Sequence, residues 1–395
     1  MEIVSNDNIL INNNSINNFK MTATPPSGTY YYGLLCSGAG SHTIENNTIQ
    51  NLQNNSVPDA TYNVRTFCIY NYATGVQTVK NNTIFDCGNG RTNVPTANNY
   101  LIWGIYMENS AANSTVENNR IYNLYSLSLG TGDRADFVQG ILLGGSANTI
   151  VKNNMISLNN GSNSLDRIIR GINDLTTSSS QKIYNNSIYI YGNASGSNKT
   201  QCFIRFYTSS VDIKNNNFSN TRTGGSGYHL AISNAASSAT GWPANASNYN
   251  NLYASNSNAI GEWWVTPSSP NKTLAQWRAS TNGDMQSVSA LPEFTSNTDL
   301  HVHTSYNPAL SGSGITLPLV TIDIDGESRN SPPDIGVDEY DHICNTNLTS
   351  GANSGPGTMR EILKCILPGD TIIYDPNGPI DTIYITGPMK IDRNV

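Results

Sequence analysis

The sequence is poor in charged residues, and this scarcity excludes several classes of protein. Only 12% of its 395 residues are Asp, Glu, Lys or Arg, about half the usual share, and the formal net charge is −7. The 21 basic residues are scattered rather than clustered, which argues against nucleic acid and anionic membrane surfaces as partners. No apolar run approaches the roughly 20 residues of a membrane span.

Several motifs of catalysis and nucleotide binding are absent as well. The sequence has no GxSxG nucleophile motif, no phosphate-cradling GxxxxGK loop and no CxxC pair. Phenylalanine is scarce beside tyrosine, with 8 Phe against 21 Tyr. Because tyrosine can lie at a wet surface, we expect many of the rings to lie outside the core.

A six-residue phrase, apolar-x-Asn-Asn-x-apolar, occurs seven times in the first 220 residues. The first asparagines of the pairs recur every 30 to 37 residues and are Asn13, Asn46, Asn81, Asn118, Asn153, Asn185 and Asn215. Such a period marks a solenoid, a propeller or another stacked array. The apolar residues are mostly β-branched, which favours strands. Asn tolerates positive φ, so each pair predicts a sharp corner between two short strands.

A second strand signal lies 12 to 14 residues before each corner, as at Gly33-Leu34 and Gly104-Ile105. Each coil therefore has two strands, the Asn corner, a third strand and a variable loop. We predict an all-β fold, a right-handed parallel β-helix in which the first asparagines stack as a hydrogen-bonded ladder from coil to coil. A propeller would need hairpin turns between the strands of each blade, whereas the repeats show one corner each.

Six cysteines are present, and two of them invite comparison. Cys36 and Cys68 lie in neighbouring coils at related strand positions, so a disulfide between them is one interpretation. The other is that they are small buried apolar residues stacked in the core. The cysteine count therefore does not determine the redox compartment.

The segment after the repeats carries a succession of short motifs over about residues 240–341. In order they are SNYNNLYAS, IGEWW, LAQWRAS, SVSALPEF, TDLHVH, NPAL and DIDGESRNSPPDIGVDEY. This succession resembles the closing section of right-handed β-helix repeat proteins of the pectin-lyase-like superfamily. Such modules occur in large secreted bacterial surface proteins, often exported by the type IX route. The resemblance implies a secreted or outer cell-surface location. Within the segment, TLAQWRAS predicts a short helix with Thr273 as its N-cap.

The tail resembles the opening of a fresh β-helix. Its apolar residues at amphipathic-helix spacing, suited to plugging the open end of a coil stack, are Met359, Ile362, Leu363 and Ile366. We predict β-helix coils over 1–220, the last coils and a C-terminal cap over 221–341, and a second, truncated β-helix over 342–395. Met1 is followed by EIVSNDNILI, which lacks a basic leader. We therefore expect an internal piece of a longer protein, with signal peptide, anchor and flanking domains outside it.

The superfamily includes polysaccharide lyases and polygalacturonase-type hydrolases, so the resemblance implies sites that can be sought. The Asp-Asp and Gly-His-Gly strings of the hydrolases are absent. The lyases place acidic Ca²⁺ ligands on one face, with Arg or Lys as base. The nearest set of such residues, drawn from three successive coils, is Asp133, Arg134, Asp136, Asp166, Arg167, Arg170, Asp174 and Arg205. These residues form either one catalytic groove or ordinary loop charges with local ion pairs.

Aromatic residues predict a second candidate surface, on two strand columns. The column two residues after the Gly position is expected to face outward and comprises Leu35, Tyr70, Tyr106, Leu142, Asn173 and Arg205. Past the Asn corner, Phe85, Tyr122 and Tyr189 form a similar column. Exposed rings suit the apolar faces of sugars, whereas rings stacked from coil to coil merely stabilise the sheet. Both interpretations stay open here.

Metal signals are weaker. Asp323-x-Asp325-Gly326 resembles part of a Ca²⁺ loop but lacks the further ligands, and a turn also explains it. His301-x-His303 points both rings to one strand face, with no third ligand evident. We expect no cofactor, and Ca²⁺ is the ion to test.

Together these features predict a non-enzymatic module, a rigid stalk or adhesin of a secreted or surface protein. Its expected partners are an extracellular polysaccharide or a cell-surface glycan. The alternative is a polysaccharide lyase or glycoside hydrolase that uses the Asp166–Arg205 residues. An enzyme should bring carboxylates and a base together in one groove, whereas a stalk should scatter them; the fold alone supports both.

Overall fold

The computed structural model describes the chain except residues 23–28, 57–62, 90–98, 109–112, 128–136, 160–165, 257–258, 368, 379 and 390–395. The described residues form a parallel β-solenoid, which confirms the predicted all-β parallel β-helix. Three long sheets run the length of the stack, and each coil contributes one strand to each sheet. Among the described residues no helix is long and apolar enough to cross a membrane.

The strands of each sheet come from successive coils. Sheet 1 comprises Glu2–Val4, Thr29–Ser37, Asn63–Asn71, Asn99–Met107, Phe137–Leu143, Ile168–Asp174, Thr200–Arg205, His229–Asn234, Gly261–Trp263 and Asn271–Lys272. Sheet 2 comprises Ile9–Asn12, His42–Glu45, Gln77–Lys80, Ser114–Glu117, Thr149–Lys152, Ser180–Tyr184, Ser210–Lys214 and Ser247–Asn248. Sheet 3 comprises Ser15–Asn17, Thr48–Gln50, Thr83–Phe85, Arg120–Tyr122, Met155–Leu158, Ser187–Ile190, Asn217–Asn220 and Asn251–Ala254.

Smaller sheets complete the coils. A four-stranded sheet comprises Lys20–Met21, Gln53–Asn54, Gly88–Asn89 and Tyr125–Ser126. Two-stranded pairs are Asn193–Ala194 with Thr223–Gly224, and Asn347–Leu348 with Ile373–Tyr374. The pairings between these strands are parallel, except that Asn271–Lys272 closes sheet 1 in the antiparallel sense.

Identical or similar side chains stack inside the coils, as the repeat predicts. Ile84 pairs with Ile121 in sheet 3, and Val79 pairs with Val116 in sheet 2. All four are at most 1% exposed. The core is therefore a set of continuous aliphatic columns that run along the axis, and each coil buries its apolar face against its neighbours.

One column of sheet 1 requires small residues. A Cβ added at Gly104 would lie 2.7 Å from the carbonyl oxygen of Gly140 and 2.9 Å from the side chain of Ile121. The same column holds Cys68 and Cys202, since Ile172 pairs with Phe203. The predicted column counts Arg205 as two residues after the Gly position and so aligns Phe203 with the glycines. The predicted register of that coil was therefore wrong by one residue.

The Asn corners are confirmed, but the ladder lies one residue further along than predicted. The first asparagines adopt the left-handed conformation with φ between 50° and 58°, from Asn13 to Asn215. The continuous amide ladder is made by the second asparagines, each donating from Nδ2 to Oδ1 of the next at 2.9–3.0 Å. Its members are Asn14, Asn47, Asn82, Asn119, Asn154, Asn186, Asn216 and Asn250.

The physical reason is the direction of the side chains at the corner. The left-handed residue turns the chain, and the next residue points its amide into the stack. There Asn154 Nδ2 also donates to the carbonyls of Val116 and Lys152 at 2.9 and 3.0 Å. The buried corner carbonyls are thereby satisfied, as buried backbone groups must be. The first asparagines point away from the core and contact other groups.

The last coil is covered by three tryptophans and helix α1, Leu274–Thr281. Thr273 caps α1 as predicted and accepts from the Gln276 amide. Trp277 is fully buried, and its ring meets those of Trp242 and Trp263 edge to face at centroid distances of 5.8 Å. Edge-to-face packing of large rings seals the apolar end of the stack.

Residues 293–341, which we call the strap, run back along the outer side of the Asn corner. Asn153 Nδ2 donates to the Ile322 carbonyl at 2.8 Å, and Asn215 Nδ2 donates to the Ile315 carbonyl at 2.8 Å. Leu300 and Val337 of the strap pack on Met155 of sheet 3. The pairings of the strap around His301 and Thr321 are isolated bridges at Val302 and Ile322. The strap therefore covers a flank of the stack rather than its end.

The tail has an apolar cluster of its own, formed by Leu348, Ile362, Ile366 and Ile380. The predicted helix is present as α2, Met359–Cys365, with Thr358 as its N-cap. Cys344 and Cys365 form a disulfide, a pairing that was not predicted. The other four cysteines, among them Cys36 and Cys68, are free and buried, which supports the core interpretation. The domain boundary near residue 342 stays a prediction.

Candidate functional site

The proposed catalytic residues that the structure describes do not form one groove. Asp174 and Arg205 are fully buried. They lie on the inner side of sheet 1, because they continue the column of the core residues Met107 and Leu143. The expected outward position is taken by Ile204, which follows Leu142 and Asn173 in that column. The placement of Arg205 on the outer face was therefore wrong, for the same one-residue shift at Cys202.

Arg205 is bound entirely by the protein. Its guanidinium donates to Asn234 Oδ1 at 2.9 Å and to the carbonyls of Ser209 and Thr240 at 2.7 and 3.0 Å. Burial lowers the pKa of Arg205 to about 10, and the nearby Asp174 carboxylate opposes this. Burial raises the pKa of Asp174, whose carboxylate accepts from Thr176 and Ser209. Both groups join neighbouring coils and have no route to a substrate.

Two further members of the set hold loops. Asp166 accepts from the backbone amides of Ser197 and Asn198 at 2.9 and 3.0 Å, one coil further along. Arg167 is 5% exposed and donates to the carbonyl of Ser126 at 3.2 Å. The remaining candidates lie outside the described residues and are Asp133, Arg134 and Asp136.

Arg170 alone among the described candidates faces outward from sheet 1. Its guanidinium lies between the rings of Phe137 and Phe206, at 5.1 and 4.7 Å from their centroids. Burial lowers the pKa of Arg170 to about 10, and the charge of Glu262 acts in the opposite direction. In the part of the chain that the structure describes, its Nε is enclosed and has no hydrogen-bond partner.

Polar neighbours of Arg170 also have enclosed atoms without hydrogen-bond partners among the described residues. Gln139 and Gln201 pair with Arg170 on the two adjacent strands, so the three side chains form one column. Gln201 Oε1 and Asn173 Oδ1 are enclosed and unpaired among the described residues, whereas Asn173 Nδ2 donates to Gln139 Oε1 at 2.9 Å. Enclosed polar atoms without partners are unusual in folded proteins. They make this patch a candidate binding site. Sequence reasoning identified Arg170 and Asn173 but missed Gln139 and Gln201.

The same column continues as aromatic rings toward the N-terminal coils. Tyr32, Phe67 and Trp103 pair in register and lead directly to Gln139. We call the whole column the outer track; it comprises Tyr32, Phe67, Trp103, Gln139, Arg170 and Gln201. Beside it, Tyr70 and Tyr106 stack at a centroid distance of 5.0 Å, in the column that was predicted two residues after the Gly position.

The rings of the outer track stack on one another along the axis. Phe67 and Trp103 lie nearly parallel, with 7° between their planes and 4.6 Å between centroids, and they are 3% and 8% exposed. Tyr70 donates to Glu108, and burial raises its pKa. Phe67 has the stacked ring of Tyr32 on one side and that of Trp103 on the other, so its faces are closed to a ligand. Coil-to-coil stacking accounts for these rings.

The third aromatic column is divided. Phe85 and Tyr122 stack at 5.0 Å on the outer face of sheet 3. Ser157 separates Tyr122 from Tyr189 in this column. Tyr189 packs against Phe294 of the strap at 5.2 Å. The three rings therefore do not make one continuous sugar-binding surface.

The residues with metal-binding signals lie in the strap, and their contacts differ from the predicted ones. Asp323 Oδ1 accepts from the backbone amides of Asp325 and Glu327 at 2.9 and 2.8 Å, so it holds the predicted turn. His303 stacks on Tyr306 at 4.4 Å, away from His301. Instead the donor atoms of His301, Asp325 and Asp338 lie within 4.8 Å of one another. Asp325 also pairs with Arg120 at 3.0 Å, and this neighbouring positive charge disfavours a cation.

Comparison with protein-family models, with curated proteins and with solved structures gives no match. The parallel β-solenoid and its Asn ladder are shown by the structure of this chain alone.

Proposed function

We propose that this chain is a non-enzymatic β-helix module of the right-handed, pectin-lyase-like kind, a rigid stalk in a secreted or surface protein. The observation that carries the proposal is the separation of the charged candidates. Arg205 and Asp174 face the core, and Asp166 and Arg167 hold loops. Of the candidates that the structure describes, only Arg170 faces outward. A general base and paired carboxylates in one groove, as lyases and hydrolases require, are not assembled among the described residues.

Two features support a stalk outside the cell. The Asn ladder and the aliphatic columns link each coil to the next along the whole stack, which resists bending and local opening. The disulfide between Cys344 and Cys365 is typical of proteins that mature in an oxidising compartment.

The outer track is the part of this stalk that we propose to contact glycans. Arg170 is half-buried and offers N–H donors on the outer face of sheet 1. Beside it, the enclosed oxygens of Gln201 and Asn173 lack a donor among the described residues. A sugar hydroxyl group both donates and accepts, so a row of hydroxyl groups suits this alternation. Ring edges of Trp103 and Tyr106 would border the sugar rather than stack beneath it.

A binding and cleavage assay on a panel of neutral and acidic polysaccharides tests the proposal, with and without Ca²⁺. We expect binding without cleavage, weakened at least tenfold in Arg170→Gln. Lys182→Gln, on the outer face of sheet 2, is the matched control and should bind as the parent does. New absorbance from unsaturated products, or new reducing ends, would overturn the non-enzymatic assignment. Equal binding by both variants would remove the glycan site from the outer track.

A further inference from the structure

The strap contains a histidine held between two carboxylates. His301 Nδ1 contacts Asp299 Oδ1, and its Nε2 lies 2.6 Å from Asp325 Oδ2. Asp299 precedes His301 by two residues, whereas Asp325 follows it by 24 residues within the strap. We call these three residues the clasp. They join two stretches of the strap that are distant in the sequence.

The clasp also ties the strap to the coil stack. Arg120 of sheet 3 pairs with Asp325 Oδ1 at 3.0 Å, on the carboxylate whose other oxygen meets His301. Asp338 faces the same cluster and accepts from the Val302 amide at 2.9 Å. The charged groups around His301 are therefore Asp299 on its own segment, Asp325 and Asp338 on the later segment, and Arg120 on the stack.

The contacts of the two ring nitrogens of His301 favour one protonation state of the ring. A neutral imidazole has one N–H donor and one bare nitrogen, and a bare nitrogen repels a carboxylate oxygen. Both ring nitrogens of His301 lie against carboxylate oxygens. Only the imidazolium donates from both nitrogens, so two carboxylate contacts favour the protonated ring.

We infer that the clasp is a pH-dependent lock, which holds the strap segment around Leu300 on the stack while His301 is protonated and releases this segment when the ring loses its proton. Loss of that proton removes one of the two hydrogen bonds. It also leaves Asp299, Asp325 and Asp338 with Arg120 as their remaining cation among the residues named here. The part of the strap that then opens includes Leu300, which covers Met155.

The direction of the pH dependence follows from linkage. Burial lowers the pKa of His301, but its bonds and charges with Asp299, Asp338 and Asp325 outweigh burial and raise it overall above 6.5. A raised histidine pKa stabilises the closed strap fully below about 6.5, and this stabilisation is lost as the pH rises through the folded-state pKa. Burial raises the pKa of Asp338 to about 6 from 3.8, so its ionisation weakens the strap between those two values. Both groups favour closure in acid.

Hydrogen exchange of the whole chain, at pH 5.5 to 9 with EDTA present and rates corrected for intrinsic exchange, tests the lock. The amides of Leu300 and Val302 report on the strap, and those of sheet 2 serve as the internal reference. We expect strap protection to fall above neutral pH by up to about tenfold for each unit by which folding raises the His301 pKa. Sheet 2 protection should stay constant.

His301→Gln and His303→Gln form a matched pair. We expect His301→Gln to lose strap protection at pH 5.5 and to lose the pH dependence, and His303→Gln to behave as the parent. Strap protection that does not change with pH in the parent, or that is equal in both variants, contradicts the lock. If His301→Gln fails to fold, an NMR titration of the parent decides, because a His301 pKa below 6.5 overturns the inference. A sample of the parent without EDTA at pH 5.5 completes the test. Strap protection seen there but lost with EDTA would mean that a metal ion holds the cluster, which also overturns the inference.

Discussion

The side-chain amide of Asn154 donates to Oδ1 of Asn186 at 2.9 Å, and this one bond joins two coils that lie 32 residues apart in the sequence. The Oδ1 atom of Asn154 in turn accepts from the backbone N and from Nδ2 of Asn119 at 3.1 and 2.9 Å. Each ladder residue between the two ends thus accepts two hydrogen bonds from the ladder residue of the preceding coil. It also donates to the ladder residue of the following coil. Such a chain of amides is stabilising only while every member is satisfied.

Asn154→Ala should destabilise the stack by roughly 2–4 kcal/mol. It leaves the buried backbone N–H of Asn119 without its acceptor, and it removes the amide that donates to the carbonyls of Val116 and Lys152. Urea unfolding followed by circular dichroism measures this change. Asn17→Ala, an exposed asparagine of sheet 3, is the control and should change the stability by less than about 0.5 kcal/mol. Equal stability of the two variants would contradict the ladder.

The corner residue Asn118 predicts the opposite pattern of tolerance. Its φ of 56° is accessible to glycine and asparagine but strained for a β-branched residue. Asn118→Gly should therefore stay within about 1 kcal/mol of the parent, whereas Asn118→Val should cost roughly 1–3 kcal/mol. Thermal unfolding of both variants measures the difference, and a valine variant as stable as the glycine variant would refute the conformational argument.

Arg205→Ala should be a stability variant and not an activity variant. It removes the donors to Ser209 and Thr240 and leaves the buried Asp174 without its nearby cation. The expected cost is roughly 3–5 kcal/mol, the usual effect of removing one member of a buried charged network. Guanidinium unfolding measures this cost. A folded, stable variant that lost a polysaccharide-cleaving activity of the parent would instead restore Arg205 as a catalytic candidate.

Reduction of the disulfide between Cys344 and Cys365 should loosen the tail and leave the stack unchanged. The bond closes a span of 21 residues, for which the loss of chain entropy predicts about 3 kcal/mol of stabilisation. Hydrogen exchange with and without dithiothreitol should show faster exchange around α2 alone. Cys68 and Cys202, which are buried with pKa values raised by burial, should resist alkylation in the folded protein.

Much of this fold could be predicted because its signals are local or periodic. The Asn pairs predict the left-handed corners, and Thr273 marks the start of helix α1. The site was harder to predict, because a residue's face depends on register. A single misplaced residue at Cys202 moved Arg205 from the core to the surface in the prediction, since successive strand residues alternate between faces.

The sequence by itself determined the coil period, the corners, the aliphatic columns and the cap helices, because each depends on residue type at a fixed spacing. Only the tertiary structure decided which asparagine of each pair forms the ladder, which face Arg205 occupies, and where the strap lies. It also placed His301 between Asp299 and Asp325. These arrangements depend on contacts between residues distant in the sequence, for which no local pattern supplies the partner.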